Sequence, residues 1–561
     1  MGSHRLLLGT LRSAGWYGTG LALVALVEVS TALALPMAVA TAVDTLTGSA
    51  MVVVAVLLAA ATVAEMAGVV LEKRAEAHGA LRLRRSLLSR VLGFDLGTAR
   101  RFTTGDLVSR TLQSTTAAAT VTMTAVSLYA SLLTSVGGVI ALVLIDVWLG
   151  VVLLALVPAV FLFSGWLTRQ LSANTERYQG VFADLLARLE DSLRGARTIR
   201  ASGTVERETD RVLAVLPRLS AEGREFWRVQ EKAIWRANLV MPLLQVAVLA
   251  VAGHAALLGR ITPGEFLAVQ GYFGFATEVF RQNVMLARLA RAQGSAERVA
   301  EVLGQPLPPS GPAPLAPGPG SLSLRGIRVD RDGHRVLDGV DLDIPAGSTV
   351  ALVGPSGSGK STLAEVAGGL LHPDSGAVSV DGQRLDELRR EDVRGAIAYA
   401  FERPHLLGET VADAVGYADQ PPPRDRLVAA LRTSRAEDFV NRLPKGSRTP
   451  LARLRLSGGE LQRLGLARAV WREARIVVFD DATSSVDTAT EADITAALGR
   501  ALTTRTRLVL AHRLGTAAQA DIVAWLDRGR LRGFAPHHEL LREPDYRAVF
   551  GAHTAELAGT A

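Results

Sequence analysis

At 561 residues the chain is long enough for two or more domains, and with 49% apolar residues and a positive mean hydropathy it is too apolar for an ordinary soluble protein. Cysteine is absent, which excludes disulfides, thiolate metal sites and a cysteine nucleophile. The net charge of +7 would suit a nucleic-acid partner, but the arginines cluster beside apolar segments, where membrane topology accounts for them and no nucleic acid is needed.

Six apolar runs occupy 17–43, 51–71, 117–143, 147–168, 239–258 and 263–285, each near the ~20 residues that a helical span requires. Between the second and third lie Lys73, Arg74, Arg82, Arg84, Arg85, Arg90, Arg100, Arg101 and Arg110; between the fourth and fifth lie Arg188, Arg194, Arg197, Arg200, Arg207 and Arg211. The other connections carry only Arg260. Basic loops stay on the cytosolic side, so this pattern predicts a multi-pass protein of the inner (plasma) membrane with both termini and both long loops cytoplasmic. The first run is too long for a signal-peptide core, and its removal would leave an odd number of spans. The long loops are polar but rich in helix formers, so the spans are expected to continue as helices beyond the bilayer.

Ionisable residues within spans are costly and point to function. Glu28, Glu65, His254, Glu278 and Arg281 are the candidates. Glu28 and Glu65 either face a shared cavity that favours cationic cargo or pair with polar groups on neighbouring helices. Glu278 and Arg281 lie three apart and can pair with each other.

Gln305-Pro306-Leu307-Pro308-Pro309-Ser310-Gly311-Pro312, continuing to Gly320, is a proline-rich linker. Beyond it short β-rich runs alternate with helical ones, the pattern of an α/β phosphate-loop domain. The expected division is therefore a membrane domain over 1–303, a linker over 304–320 and a nucleotide domain over 321–561.

In that last part, Gly354-Pro355-Ser356-Gly357-Ser358-Gly359-Lys360-Ser361-Thr362 follows a strand-like run (Ser348 to Val353) and opens a helical one. The full G-x-x-x-x-G-K-S pattern between strand and helix is a phosphate-binding loop. Its glycines let backbone N–H groups turn inward, and the helix adds its positive end. Lys360 brings a charge to the β/γ-phosphates, and the Ser361 hydroxyl can ligate Mg²⁺. The chain therefore binds a nucleoside triphosphate. Further on, the apolar run Ile476-Val477-Val478-Phe479 delivers Asp480 to a strand tip, where it can hold Mg²⁺ opposite Ser361. Between the two lies Leu456-Ser457-Gly458-Gly459-Glu460.

With these three elements in this order, the chain resembles the ABC transporter ATPases, whose signature is a Leu-Ser-Gly-Gly-Gln run. Over its whole length it is similar to an exporter-type (type IV) half-transporter, which implies an all-α six-helix transmembrane domain followed by an α/β P-loop ABC ATPase domain. The resemblance implies ATP and Mg²⁺ as ligands, and a dimer in which Ser457, Gly458, Gly459 and Glu460 face ATP on the partner. It implies a D-loop at Ser484-Ser485-Val486-Asp487, with Asp487 at the dimer interface. It makes His512, after the strand Arg507 to Ala511, the switch histidine. It also implies short coupling helices near Phe102–Leu107 and Ala196–Arg207.

Four departures stand out. Asp481 occupies the catalytic-glutamate position, one methylene short, and a 1 Å error at a general base can cost on the order of 100-fold. Glu402, in Ala400-Phe401-Glu402-Arg403-Pro404, replaces the Q-loop glutamine; it can still meet Mg²⁺ but offers no N–H. Arg331 stands where an aromatic usually stacks on adenine; it either stacks through its guanidinium or is an exposed turn residue. The stretch Thr449 to Arg455 before the signature is shorter than the family's.

Together these imply one subunit of a heterodimeric exporter. This chain's Lys360, Asp480 and Asp481 would form a slow site, and its Ser457, Gly458 and Gly459 would complete the partner's working one. The cargo would be a small molecule, lipid or peptide moved by alternating access. A homodimer with two slow sites, a siderophore-type importer of the same fold and a nucleotide-gated channel are the alternatives. A soluble ATPase of DNA maintenance is excluded by the membrane spans.

Overall fold

The computed structural model describes residues 15–278, 283–331, 333–417 and 423–550. Its contacts divide the chain into two units, one of residues 1–90 and 104–304, the other of 91–103 and 305–561.

The first unit is helical. Its long elements are α1 (Gly15–Thr45), α2 (Gly48–Leu92), α4 (Val121–Ile145), α5 (Val147–Arg194), α7 (Leu216–Leu257), α8 (Pro263–Thr277) and α9 (Asn283–Leu303); the short α3 and α6 are given below. Among the described residues four helical stretches are long and apolar enough to cross a membrane: Trp16–Thr45, Gly48–Leu92, Thr104–Ile145 and Val205–Leu257. The runs expected at 147–168 and 263–285 fall on α5 and on α8 with the start of α9. Arg281 lies outside the described residues. As expected from their helix-forming composition, α2 and α5 run on without a break through the arginine-rich segments to Leu92 and Arg194.

Small residues and a few polar contacts hold this bundle, as they must where lipid removes the hydrophobic drive between helices. A Cβ on Gly138 of α4 would lie 2.9 Å from the Tyr272 carbonyl oxygen and the Ala276 nitrogen of α8. The Ser135 hydroxyl donates to the Ala276 carbonyl (2.8 Å) and Tyr272 to that of Leu33 (2.8 Å). At the end of α1, Asp44 accepts from the Thr262 hydroxyl (2.5 Å) and the Gly264 N–H (2.8 Å), so it supplies negative charge to the N-terminus of α8.

The second unit carries two sheets. The antiparallel one has β1 (Leu322–Arg331), β2 (His334–Ile344), β4 (Ser375–Val380) and β5 (Gln383–Arg384), in the order β2-β1-β4-β5. The other contains β3 (Thr349–Val353), β6 (Ile397–Ala400), β7 (Ile476–Phe479), β8 (Thr506–Leu510), β9 (Ile522–Asp527) and β10 (Arg530–Ala535), in the order β10-β9-β3-β8-β7-β6. From β9 to β6 its strands are parallel, and β3, β6 and β7 are buried along almost their whole length, as parallel strands with both faces covered must be.

The far side of β3 is backed by a C-terminal cluster of Ala351, Val353, Ala511, Trp525, Leu540 and Tyr546. Here the fully buried Tyr546 hydroxyl pairs with His537 Nδ1 at 2.8 Å. Burial holds the His537 pKa below its ordinary value and pushes Tyr546 up to about 12. Below pH ~6.5 the unfolded chain takes up a proton at this histidine that the folded chain resists, so this contribution to stability is complete above that pH and is lost as pH falls. We expect a smaller loss of thermal midpoint between pH 7.5 and 5.5 in His537→Gln than in the unmodified protein. Tyr546→Phe should cost about 1–2 kcal/mol at neutral pH, measured by thermal denaturation; a variant indistinguishable from the parent would refute the pairing.

Candidate nucleotide site

Parallel register brings the ends of four neighbouring strands to one level. Leu352 of β3 pairs with Leu510 of β8, Val509 of β8 with Phe479 of β7, and Phe479 with Ala400 of β6. The next residues along these strands are the segments singled out from sequence: the loop at Gly354, His512, Asp480-Asp481 and Glu402. Ligands of open α/β sheets bind outside such carboxyl ends.

The phosphate loop runs from β3 into α10 (Lys360–Ala367), with Gly357 and Gly359 at φ 78° and 99°, conformations that a side chain would strain. A Cβ on Gly354 would lie 2.1 Å from the Leu526 carbonyl oxygen, so glycine is required there by contact rather than by φ. Lys360 is buried, and its ammonium donates to the carbonyls of Gly354 (2.7 Å) and Pro355 (3.0 Å). Burial lowers its pKa, and the charge of Asp481 opposes that. Among the described residues the buried Ser358 hydroxyl has no hydrogen-bond partner. A phosphate group fits this cradle, since it would offer acceptors to both the ammonium and the orphaned hydroxyl. Ser361, Asp480 and Glu402 present only oxygen donors, the set that suits Mg²⁺.

Asp480 is oriented by Tyr399, whose hydroxyl donates to its Oδ2 at 3.0 Å. Burial pushes the Asp480 pKa up to about 6; the Tyr399 hydrogen bond pulls the other way, and Asp481, Glu365 and Glu402 add to the rise. Asp481 is also pushed up to about 6, by burial first and then by Glu402, against Lys360 and Arg513. Its Oδ2 lies 3.2 Å from His512 Nε2, and its backbone sits at φ 50°, a left-handed conformation uncommon for a non-glycine residue. Glu402 is half-exposed, 3.5 Å from Arg403.

The signature begins α11 (Gly458–Trp471). Ser457 is its N-cap and forms a reciprocal capping box with Glu460: the Ser457 N–H and hydroxyl both donate to Glu460 Oε2 at 2.9 Å, and the Glu460 N–H returns a bond to the hydroxyl at 3.3 Å. This gives a local reason for a carboxylate at the fifth position. A Cβ on Gly459 would lie 2.9 Å from the Ser485 carbonyl oxygen, so the D-loop packs directly on the signature glycines. Asp487 caps the following helix, accepting from the Thr490 N–H at 2.9 Å, which holds its carboxyl below the usual range.

The sequence reading missed Gln462. It is buried on α11, and its amide donates to the Glu402 carbonyl (2.8 Å), the Ser484 hydroxyl (2.8 Å) and the Asp481 carbonyl (3.4 Å), while its oxygen accepts from the Ser485 N–H (2.8 Å). One side chain thus ties the signature helix to the Q-loop, the D-loop and the residue after Asp480. The available signal was its place one turn into a helix that is apolar and buried on most sides.

Arg331 closes β1 rather than lying in a turn, and its guanidinium donates to Glu365 Oε2 at 2.8 Å. Two short helices lie in the first long loop: α3 (Leu96–Ala99), which Asp95 caps by accepting from the Thr98 N–H at 2.9 Å, and Thr104–Ser109, which overlaps the predicted segment Phe102–Leu107. The other expected element is α6 (Ala196–Ala201), inside the second predicted segment.

Comparison with known proteins agrees with this architecture. Residues 21–279 match the ABC transporter transmembrane region and residues 337–484 the ABC transporter family. An ABC transporter ATP-binding protein, RamA, from Streptomyces coelicolor is 43% identical over 81% of this chain and 72% of its own length. An ATP-dependent lipid A-core flippase from Chromobacterium violaceum is 32% identical over 72% of this chain and 71% of its own. The structure of a bacterial Atm1-family ABC exporter with ATP bound superposes with a TM-score of 0.73 at 26% identity, covering 97% of this chain and 98% of the other. The chain therefore belongs to the ABC transporter family, as a helical transmembrane region of the exporter-type fold joined to an ATPase domain that couples ATP hydrolysis to transport.

Proposed function

We propose that this chain is one half of an ABC exporter that pairs with a second, different half-transporter, and that its own ATP site turns over slowly. The observation that carries the reading is Asp481. It holds the position after Asp480 with a side chain one methylene shorter than glutamate, and its carboxylate is engaged with His512 at 3.2 Å. General-base catalysis depends on reach to the attacking water. Glu402 adds a second charge where the family has a neutral amide donor. Two such changes beside an intact phosphate loop and an almost intact signature favour a chain that binds ATP and completes its partner's site. In each cycle Lys360 and the loop N–H groups hold the phosphates, Ser361 and Asp480 hold Mg²⁺, and Ser457, Gly458 and Gly459 close on nucleotide bound to the partner. Closure of the two ATPase halves then switches the spans between inward- and outward-facing states.

For the cargo we favour an anionic amphiphile. A cavity of about 530 Å³ in the membrane unit is lined by Lys73, Arg288, Arg291 and Arg298 against Glu72 and Glu76, an excess of positive charge. The flippase relatives, named for a lipid substrate, point the same way. Glu28 does not line it; its Oε1 lies over Gly68, 2.8 Å from where a Cβ would stand, so it is used in packing α1 against α2.

Steady-state ATPase in lipid nanodiscs tests the assignment. The chain alone should be nearly silent, and the pair active at the ~10 s⁻¹ typical of enzymes. Asp481→Glu should raise turnover at this site by on the order of 100-fold; brisk hydrolysis by the unmodified chain alone would instead mean a homodimer and sink the asymmetric reading. Gln462→Ala leaves the Ser485 N–H and the Glu402 carbonyl without their partner, a cost of about 1–3 kcal/mol. It should slow turnover of the pair about tenfold while nucleotide binding persists; equal turnover would remove Gln462 from the positioning of the Q- and D-loops.

A further inference from the structure

Glu365 lies on α10, the helix that opens with Lys360, and its side chain is only 10% exposed. Two arginines from different parts of the chain meet on it. Arg100 grips it with both ends of its fork, at 2.6 and 3.0 Å, and Arg331 donates to the same carboxylate at 2.8 Å. Arg331 stands where the family places its adenine-stacking aromatic. Arg100 follows α3 in the segment 91–103, which groups with the ATPase unit although it is drawn from the long loop after α2.

The other anchors of that segment converge on the turn that follows the same helix. The Leu96 N–H donates to the Leu370 carbonyl (3.0 Å), and the His372 N–H donates to Asp95 Oδ2 (3.2 Å). Gly97 sits so close that a Cβ would lie 2.8 Å from Leu371 Cδ1. The segment therefore holds the turn leaving the helix whose N-terminal end is the phosphate cradle. Glu365 is also near enough to Tyr399 and Asp480 for its charge to act on both.

We propose that Glu365 links docking of the 91–103 segment to nucleotide binding at Gly354–Thr362, with Arg100 and Arg331 as the two positioning residues that share it. This rests on reading that loop as the nucleotide site. A buried carboxylate left short of a partner is costly, so when Arg100 leaves, Glu365 draws fully on Arg331, the residue at the position of the family's adenine-stacking aromatic. Any coupling of this kind is reciprocal: nucleotide must favour the docked segment by the same factor by which the docked segment favours nucleotide.

The test uses the full transporter in nanodiscs, with a fluorescent ATP analogue as probe. The signal of this chain's site is taken as the part lost in Lys360→Ala. Backbone hydrogen exchange across 91–103 is followed in parallel. In the unmodified protein the analogue should slow exchange of the Leu96 and Thr98 amides. Arg100→Ala should raise the half-saturating concentration at this site about tenfold, within the range usual for coupled sites, and abolish the nucleotide-dependent protection. Arg100→Lys, which keeps the charge but not the fork, should fall between. In Arg100→Ala the carboxylate keeps its bond from Arg331, and a thermal midpoint measured alongside reports whether the fold is kept. Unchanged half-saturation and unchanged protection in Arg100→Ala would overturn the proposal while the nucleotide site stands. Failure of the unmodified protein to lose signal in Lys360→Ala would instead overturn the reading of the loop, and this inference with it.

Discussion

The parallel register of β3, β8, β7 and β6 is the constraint on which the rest of the ATPase unit depends. Because their pairing is level, each strand releases the chain at the same height, and four loops far apart in sequence open onto one rim. None of these loops has much structure of its own. What fixes them is that Val353, Ala400, Phe479 and Leu510 are buried and cannot slide, since a slip of one residue would turn an apolar side chain out of one covered face and into the other. The site is thus positioned by apolar packing, and its polar residues inherit that placement.

On that rim, negative charge accumulates. Asp480, Asp481, Glu402 and Glu365 act on one another through space, and a single lysine, itself largely desolvated, faces them. Such a group of carboxylates is unfavourable by itself and is made favourable by whatever cation arrives. The guanidinia of Arg100 and Arg331 neutralise one corner. Tyr399 and His512 each hold one carboxylate in place, so that orientation is kept while the charge that a cation requires remains.

Much of this was legible in the sequence. Motifs that fix backbone geometry were the clearest: the glycines of the phosphate loop, the four-residue apolar strand before Asp480, and the long apolar runs of the membrane half. What stayed hidden was pairing between distant residues. Nothing local in Arg331 announces that its partner is Glu365, because the contact exists only once β1 and α10 are packed together. Gln462 was passed over for the same reason, its four contacts lying on two separate loops. The short helix at Leu96–Ala99 was legible too, since Asp95 and Thr98 carry its capping signal. The charge on Glu402 was legible; that Glu402 also offers its carbonyl to Gln462 was not.

The capping box at the head of α11 has a consequence for the timing of dimer closure. A serine hydroxyl has one proton, and that of Ser457 is already given to Glu460 Oε2. Any incoming oxygen that takes this proton must displace a carboxylate, which then keeps only its bond from the Ser457 N–H. Engagement is thus an exchange of one anionic acceptor for another, with little net change in bonding and a slight loosening of the helix's first turn. The signature of this chain is therefore self-satisfied when apart from its partner, and it stays ordered while it waits.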